Sequence, residues 1–251
     1  MKPYVMKSGY FLPLGLWLAV SSIAAFVPLS AQAGFDEAIA AANDGQFTEA
    51  FQEFSALAEQ GDARAQQALG WMYYEGQGRA RDYQQAAHWY RRAAEQGNVT
   101  AQINLAQMLA YGKGVPQDFA EAARWWHKLA EQGDSRAQAA LAGLYYQGNG
   151  VARNVETAVS LWREAAQQGH IEAQRNLGLM YGKGQGVAQD DVQAYAWLSA
   201  AAAQDDSVAA SSRDYARSQL QGERWQQAEA LAREYTQKYV APFKEKNKSP
   251  H

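Results

Sequence analysis

From residue 61 to residue 204 the apolar positions return to the same places every 36 residues. Ala65-Gln66 recurs as Ala101-Gln102, Ala137-Gln138 and Ala173-Gln174, and Leu69 recurs as Leu105, Leu141 and Leu177. At about 100° per residue, Ala65, Gln66, Leu69, Met72 and Tyr73 fall on one arc of a helix, and the positions between them fall on another. That spacing predicts an amphipathic helix with its recurring side turned inward. A second helical stretch follows in each unit, carrying Ala86, Ala122, Ala158 and Ala194 and then the aromatics Trp89, Trp125, Trp162 and Trp197.

Glycines punctuate the pattern. Gly61, Gly97, Gly133 and Gly169 mark the period, and the pairs Gly76/Gly78, Gly112/Gly114, Gly148/Gly150 and Gly184/Gly186 fall between the two stretches of each unit. Asp62, Asn98 and Asp134 are good N-caps for the first helix because a short side-chain oxygen accepts the orphan N–H groups of the opening turn; His170 is a poorer one. The paired glycines end that helix and open a loop of about six residues. Asp82, Asp118, Asn154 and Asp190 then cap the second helix. One such pair cannot stand alone. Ordering the backbone costs roughly 1–2 kcal/mol per residue, whereas a large buried side chain returns about 1.5–3 kcal/mol. Stacked neighbours make the array stable. The expected fold is all-α, a right-handed α/α solenoid of helix pairs with no β-sheet.

These residues resemble the Sel-one-like repeat family, relatives of the tetratricopeptide repeat with a longer inter-helix loop. The matching segments are AQQALGWMYYEGQG from Ala65, LAYGKGVPQDFAEAARWWHKLAEQG from Leu109, YYQGNGVARNVETAVSLWREAAQQG from Tyr145 and YGKGQGVAQDDVQAYAWLSAAAAQ from Tyr181. The resemblance places four repeats at 61–96, 97–132, 133–168 and 169–204. Upstream, 34–60 reads as a shorter capping pair turning at Asn43-Asp44-Gly45. Downstream, 205–243 reads as closing helices, Asp205 to Leu220 and Glu223 to Tyr239 with Gly222 between them. The polar stretch 244–251 reads as a disordered tail.

The first 33 residues differ from the rest. Lys2 and Lys7 precede an apolar run from Tyr10 to Leu29 that ends in Ala31-Gln32-Ala33, the pattern of a secretory signal peptide cleaved before Gly34. The competing reading is an uncleaved inner-membrane anchor, since the run approaches the roughly 20 residues a bilayer requires. The expected location is therefore periplasmic or secreted, with membrane anchoring as the alternative. Of 23 Lys and Arg against 26 Asp and Glu, two lysines leave with the leader, so the remainder carries a formal charge of −5. Nucleic acid as a partner calls for a clustered basic face that this balance does not favour. With no cysteine, stability rests on packing.

The first helices also vary from repeat to repeat, at positions 64, 67, 68, 71, 74 and 75 and their equivalents. The resemblance places these helices on a concave surface. Arg64, Gln67, Trp71, Tyr74, Asn104, Gln107, Tyr111, Arg136, Tyr146, Arg175 and Asn176 are then candidates for a partner-binding face. Aromatic and arginine side chains are typical interface anchors. His88, His127, His170 and His251 show no metal-ligand spacing, so no metal is expected. The Gly-Lys-Gly segments at 112–114 and 182–184 follow no strand and precede no Ser or Thr, which makes them helix terminators rather than phosphate loops. No nucleophile or acid/base pair stands out, and no cofactor is implied. The sequence thus points to a monomeric, non-enzymatic adaptor that binds an envelope protein or an extended peptide. Some cysteine-rich members of the resembled family are associated with binding and hydrolysis of β-lactams or peptidoglycan fragments, which leaves an envelope enzyme or binding protein acting on such molecules as the rival reading.

Overall fold

The structure, a computed structural model, describes residues 29–246. Within them every regular element is helical: α1 (Leu29–Asn43), α2 (Phe47–Glu59), α3 (Ala63–Glu75), α4 (Tyr83–Glu95), α5 (Val99–Tyr111), α6 (Phe119–Ala130), α7 (Ser135–Gln147), α8 (Val155–Gln167), α9 (Ile171–Lys183), α10 (Asp191–Ala202), α11 (Ser207–Ser218), α12 (Gly222–Tyr239) and α13 (Ala241–Lys246). The chain divides between Gln102 and Ile103 into two compact units. In the first, α1 to α4 pack each against the next; in the second, α6 to α11 do so, and α12 lies against α10. This is the all-helical, paired arrangement that the apolar period predicts.

Caps and loops follow one plan. The Asp62 carboxylate accepts from the backbone N–H of Arg64 at 2.8 Å and of Ala65 at 3.2 Å. The helix it opens, α3, closes on Gly76 in the left-handed region at φ 77°. A hydrogen bond then spans the loop, from Asp82 N–H to the Tyr73 carbonyl at 2.9 Å, and it recurs as Asp118 to Leu109, Asn154 to Tyr145 and Asp190 to Tyr181. The second glycine of the pair answers to the neighbouring repeat. A Cβ on Gly78 would stand 2.2 Å from the Phe47 carbonyl oxygen, and one on Gly150 would stand 2.3 Å from the Phe119 carbonyl carbon. Only a bare backbone lets each loop sit on the start of the preceding second helix.

The 36-residue register refines the aromatic pattern. Trp89 and Trp197 share a column with Trp125, but the fourth member of that column is Leu161. Trp162 belongs one place on, with Tyr90, Trp126 and Leu198, a column that is buried throughout. Gly70 and Gly178, on the first helix of their pairs, sit directly beneath it: an added Cβ would lie 2.7 Å from the Tyr90 ring and 2.7 Å from Leu198 Cγ. The cores are correspondingly tight. Ala38, Phe54, Ala58, Leu69 and Met72 anchor the first unit, and Val159, Trp162, Leu177, Met180 and Trp197 anchor the second.

The recurring glutamine is the main polar element of these cores. Gln66, Gln102, Gln138 and Gln174 are all buried. The amide NH2 groups of Gln66, Gln102 and Gln174 donate at 3.0 Å to the carbonyls of Ala58, Ala94 and Ala166, at the end of the preceding helix. Three of their side-chain oxygens accept from a second glutamine 30 residues on: Gln96 to Gln66 at 2.7 Å, Gln168 to Gln138 at 2.8 Å and Gln204 to Gln174 at 2.8 Å. The bonds to Ala58, Ala94 and Ala166 tie the first, second and fourth repeats to the helix before them, whereas Gln138 of the third donates at 2.9 Å to Glu164 of its own repeat. The glutamine pairs close within single repeats, away from water, where an unmade partner is costly.

At the N-terminal end, α1 runs back through Gly34, Ala33 and Ala31 to Leu29. The rest of the proposed leader and any membrane-anchoring run in it lie outside the described residues. Among the described residues no helix is long and apolar enough to cross a membrane. At the other end Gly222 is the first residue of α12, and α13 carries helix through Lys246, into the segment expected as a polar tail. Residues 247–251 are outside the described range.

Candidate partner-binding face

In the first unit, α3 brings four of the predicted residues into a line along one helix. Arg64 donates from Nη2 to Asp62 Oδ2 at 2.7 Å and from Nε to Oδ1 at 3.3 Å, and its guanidinium lies 4.3 Å from the centre of the Phe35 ring. Burial works against the Asp62 carboxylate, but the hydrogen bond from Arg64 and those from the Ala65 and Arg64 backbone outweigh it, holding its pKa below the ordinary value. Gln67 is half-buried. Trp71 packs partly against the apolar core, and Tyr74 meets Tyr83 edge to face at 5.2 Å.

In the second unit the residues divide among three helices. On α5, Tyr111 is 65% exposed, Gln107 is half-buried, and the Asn104 amide nitrogen is buried with no hydrogen-bond partner among the described residues. On α7, Arg136 repeats the arrangement of Arg64, donating to Asp134 at 2.6 Å and 3.2 Å. Asp134, likewise desolvated, is held below its usual range chiefly by Arg136. Tyr146 tilts against Trp162 at 5.5 Å, and its hydroxyl donates to Gln185 Oε1 at 3.2 Å. On α9, Asn176 is half-buried. Arg175 is drawn inward: it pairs with Asp206 and lies 3.9 Å from Glu172, with 17% of its side chain exposed. Because Asp206 also caps α11, accepting from Ala209 N–H at 2.8 Å, Arg175 joins two helices.

Two members of the varying set do not belong to a surface. Ala68 and Ile103 are 3% and 6% exposed, so variation there reflects local core volume rather than recognition. His170, expected to cap poorly, does accept through Nδ1 from Ala173 N–H at 3.3 Å. Burial lowers its pKa, which preserves the neutral ring that this bond requires. The inter-repeat role of the buried glutamines was signalled by their recurrence on an otherwise apolar arc. The Arg64–Asp62 and Arg136–Asp134 pairs were signalled by Asp-x-Arg at each helix start. Among the described residues no three His, Asp or Glu side chains gather as a metal site.

Comparison with known proteins locates this architecture. A search of curated proteins finds no match. Among solved structures, a Sel1 repeat protein from Oxalobacter formigenes is 35% identical with a TM-score of 0.58; the match covers 66% of this chain and 48% of the other, so this chain spans about half of that protein. A Sel1 repeat protein from Klebsiella pneumoniae is 22% identical with a TM-score of 0.46, covering 74% of this chain and 92% of the other. An immunity protein from Pseudomonas aeruginosa is 20% identical with a TM-score of 0.45, covering 85% and 82%. The family model of the Sel1 repeat matches residues 63–98, 99–134, 135–170 and 171–206, two residues later in register than the glycine period. These four consecutive units account for more than half of the sequence, and with the helix pairs they fold into they make the chain a member of the Sel1 repeat family.

Proposed function

We propose that this chain is a non-catalytic adaptor of the cell envelope that holds an envelope protein or an extended peptide on the variable side of its first helices. Proteins of the Sel1 repeat family generally mediate protein–protein interactions. The observation that carries the reading to particular residues is the contrast along α5 and α7. The recurring side is buried and committed to packing, while the variable side carries Tyr111, 65% exposed, and Arg136 braced on Asp134. Braced guanidinium groups lose little rotamer freedom when they engage a carboxylate or a carbonyl of a partner. An exposed tyrosine offers a large contact area with a polar end.

Affinity capture from envelope extract tests the proposal, comparing the natural chain with the triple variant Gln107→Ala, Tyr111→Ala, Arg136→Ala. Proteins retained by the first and lost by the second, with unchanged circular dichroism, are the expected result. If both forms retain the same proteins, this side of the helices is not the binding face.

A further inference from the structure

The segment after the fourth repeat begins as a fifth and then departs from the pattern. Asp206 falls in the N-cap column of Asp62, Asn98, Asp134 and His170, and it caps α11 in the same way. Seven positions later the column of Leu69, Leu105, Leu141 and Leu177, at most 2% exposed in all four repeats, is occupied by Arg213. The connection that follows also differs. It runs only from Gln219 to Gln221, where the repeats use seven residues with two glycines, so α12 cannot retrace the path of a second helix.

What results is a cleft of about 430 Å³ between α10, α11 and α12, lined by Tyr195, Ser199, Arg213, Glu229, Arg233 and Thr236 among others. The α10 residues here are departures too. Tyr195 replaces the buried Ala87, Ala123 and Val159 of the earlier repeats, and Ser199 replaces Arg91, His127 and Arg163. The Ser199 hydroxyl is buried and has no hydrogen-bond partner among the described residues. Arg213 donates from Nε and Nη2 to the exposed Asp214, at 3.0 Å and 2.7 Å, which leaves Nη1 uncommitted. Glu229 and Arg233 are four apart on α12, the spacing at which a Glu–Arg pair ordinarily closes. Both line the cleft, yet no ion pair forms between them.

We propose that this cleft binds a small zwitterion, a free amino acid or a dipeptide. Its carboxylate meets Arg233 and the free edge of Arg213, its ammonium meets Glu229, and Ser199 supplies a hydrogen bond at the floor. The chemistry follows from the lining: separated guanidinium and carboxylate groups on one wall ask for a ligand that carries both opposite charges at once. The volume falls within the range of small-molecule sites and suits a ligand no larger than a short peptide. The site lies wholly within the second unit and is independent of the variable helix side described above.

Isothermal titration with glycine, glycylglycine, N-acetyl-glycylglycine, glycylglycinamide and inorganic phosphate provides the test. The expected result is binding of glycine or glycylglycine, with glycylglycine tighter if the dipeptide is the natural size. Blocking either terminus should weaken it about tenfold or more, the cost of one charge-assisted hydrogen bond. Arg213→Leu restores the residue that the repeats carry in this column, so it should fold, as far-ultraviolet circular dichroism would confirm, while binding falls about tenfold or more. Glu229→Gln should abolish the preference for a free amine over its N-acetylated form. No heat with any zwitterion, phosphate binding as tightly as the dipeptide, or unchanged affinity in a folded Arg213→Leu protein would each overturn the assignment.

Discussion

Replacing Gly78 with alanine tests whether the loops of this array are set by local conformation or by the neighbouring repeat. Two costs are expected. The first is conformational: Gly78 sits at φ 73°, where an L side chain crowds its own backbone at roughly 1–2 kcal/mol. The second is steric. The new Cβ would stand 2.2 Å from the Phe47 carbonyl oxygen and 2.7 Å from its carbon, against a limit near 3.0 Å, so α2 or the loop must move by close to 1 Å. Forcing packed backbone apart costs typically 1–3 kcal/mol, giving a total of about 2–5 kcal/mol. Gly97→Ala is the control, since Gly97 has φ 90° but nothing within 4 Å of its added Cβ. It should cost only the first amount, about 1–2 kcal/mol. Urea unfolding followed by far-ultraviolet circular dichroism compares the two, supplemented by hydrogen exchange in α2 and α3 because repeat arrays can open one section at a time. If Gly78→Ala destabilises no more than Gly97→Ala, the close approach is not what fixes that glycine, and the account of the paired glycines fails.

Three further outcomes follow from the same geometry. Gln174→Leu leaves the Ala166 and Tyr239 carbonyls without their donor and leaves the Gln204 amide only its bond to the Gly169 carbonyl, so urea titration should show a loss of about 2–3 kcal/mol, against under about 0.5 kcal/mol for Gln67→Ala. Burial lowers the His170 pKa below 6.5, so under mildly acidic conditions the unfolded chain takes a proton that the folded chain refuses; this contribution to stability is complete above pH 6.5 and is lost as pH falls through the folded value. His170→Asn, a neutral cap of the kind found at Asn98, should flatten that slope when denaturation is compared at about pH 7.5 and about pH 5.5. Intact-mass analysis of protein recovered from an exporting bacterial host should give a chain starting at Gly34; a mass retaining Met1 would favour the anchor reading instead.

Much of the fold was legible because the chain repeats itself. A residue type that returns four times at one spacing reports a position whose surroundings also return, and the caps, turns and buried leucines are all of this kind. What escaped the reading is what depends on partners far away in sequence. The second glycine of each pair looks like a turn residue, whereas its identity is dictated by Phe47 or Phe119, about 31 residues upstream. Trp162 resembles Trp89 by residue type alone; counting in steps of 36 puts Leu161 in the Trp89 column and Trp162 in the next, and the tryptophans Trp89, Trp197, Trp126 and Trp162 are all buried.

The candidate face was less legible, for a related reason. Variation between repeats says that packing does not require one residue there; it does not say that the position meets solvent. Ala68 and Ile103 vary and are buried, because a core position can change when its neighbours change with it. Arg175 varies and is turned inward, because Asp206, beyond the last full repeat, supplies it with a partner. The more informative signal is a break in a column that had been strictly apolar. At Arg213 a buried-leucine column receives a charge, and the residues around it on α10 break their own columns in the same place. A polar end-cap alone calls for charge on the outward side of α11, where Asp214 already provides it. It does not call for a guanidinium and a buried hydroxyl on the side that faces the array. Repeats that agree describe the scaffold, and coordinated disagreement at its end is where a ligand is best sought.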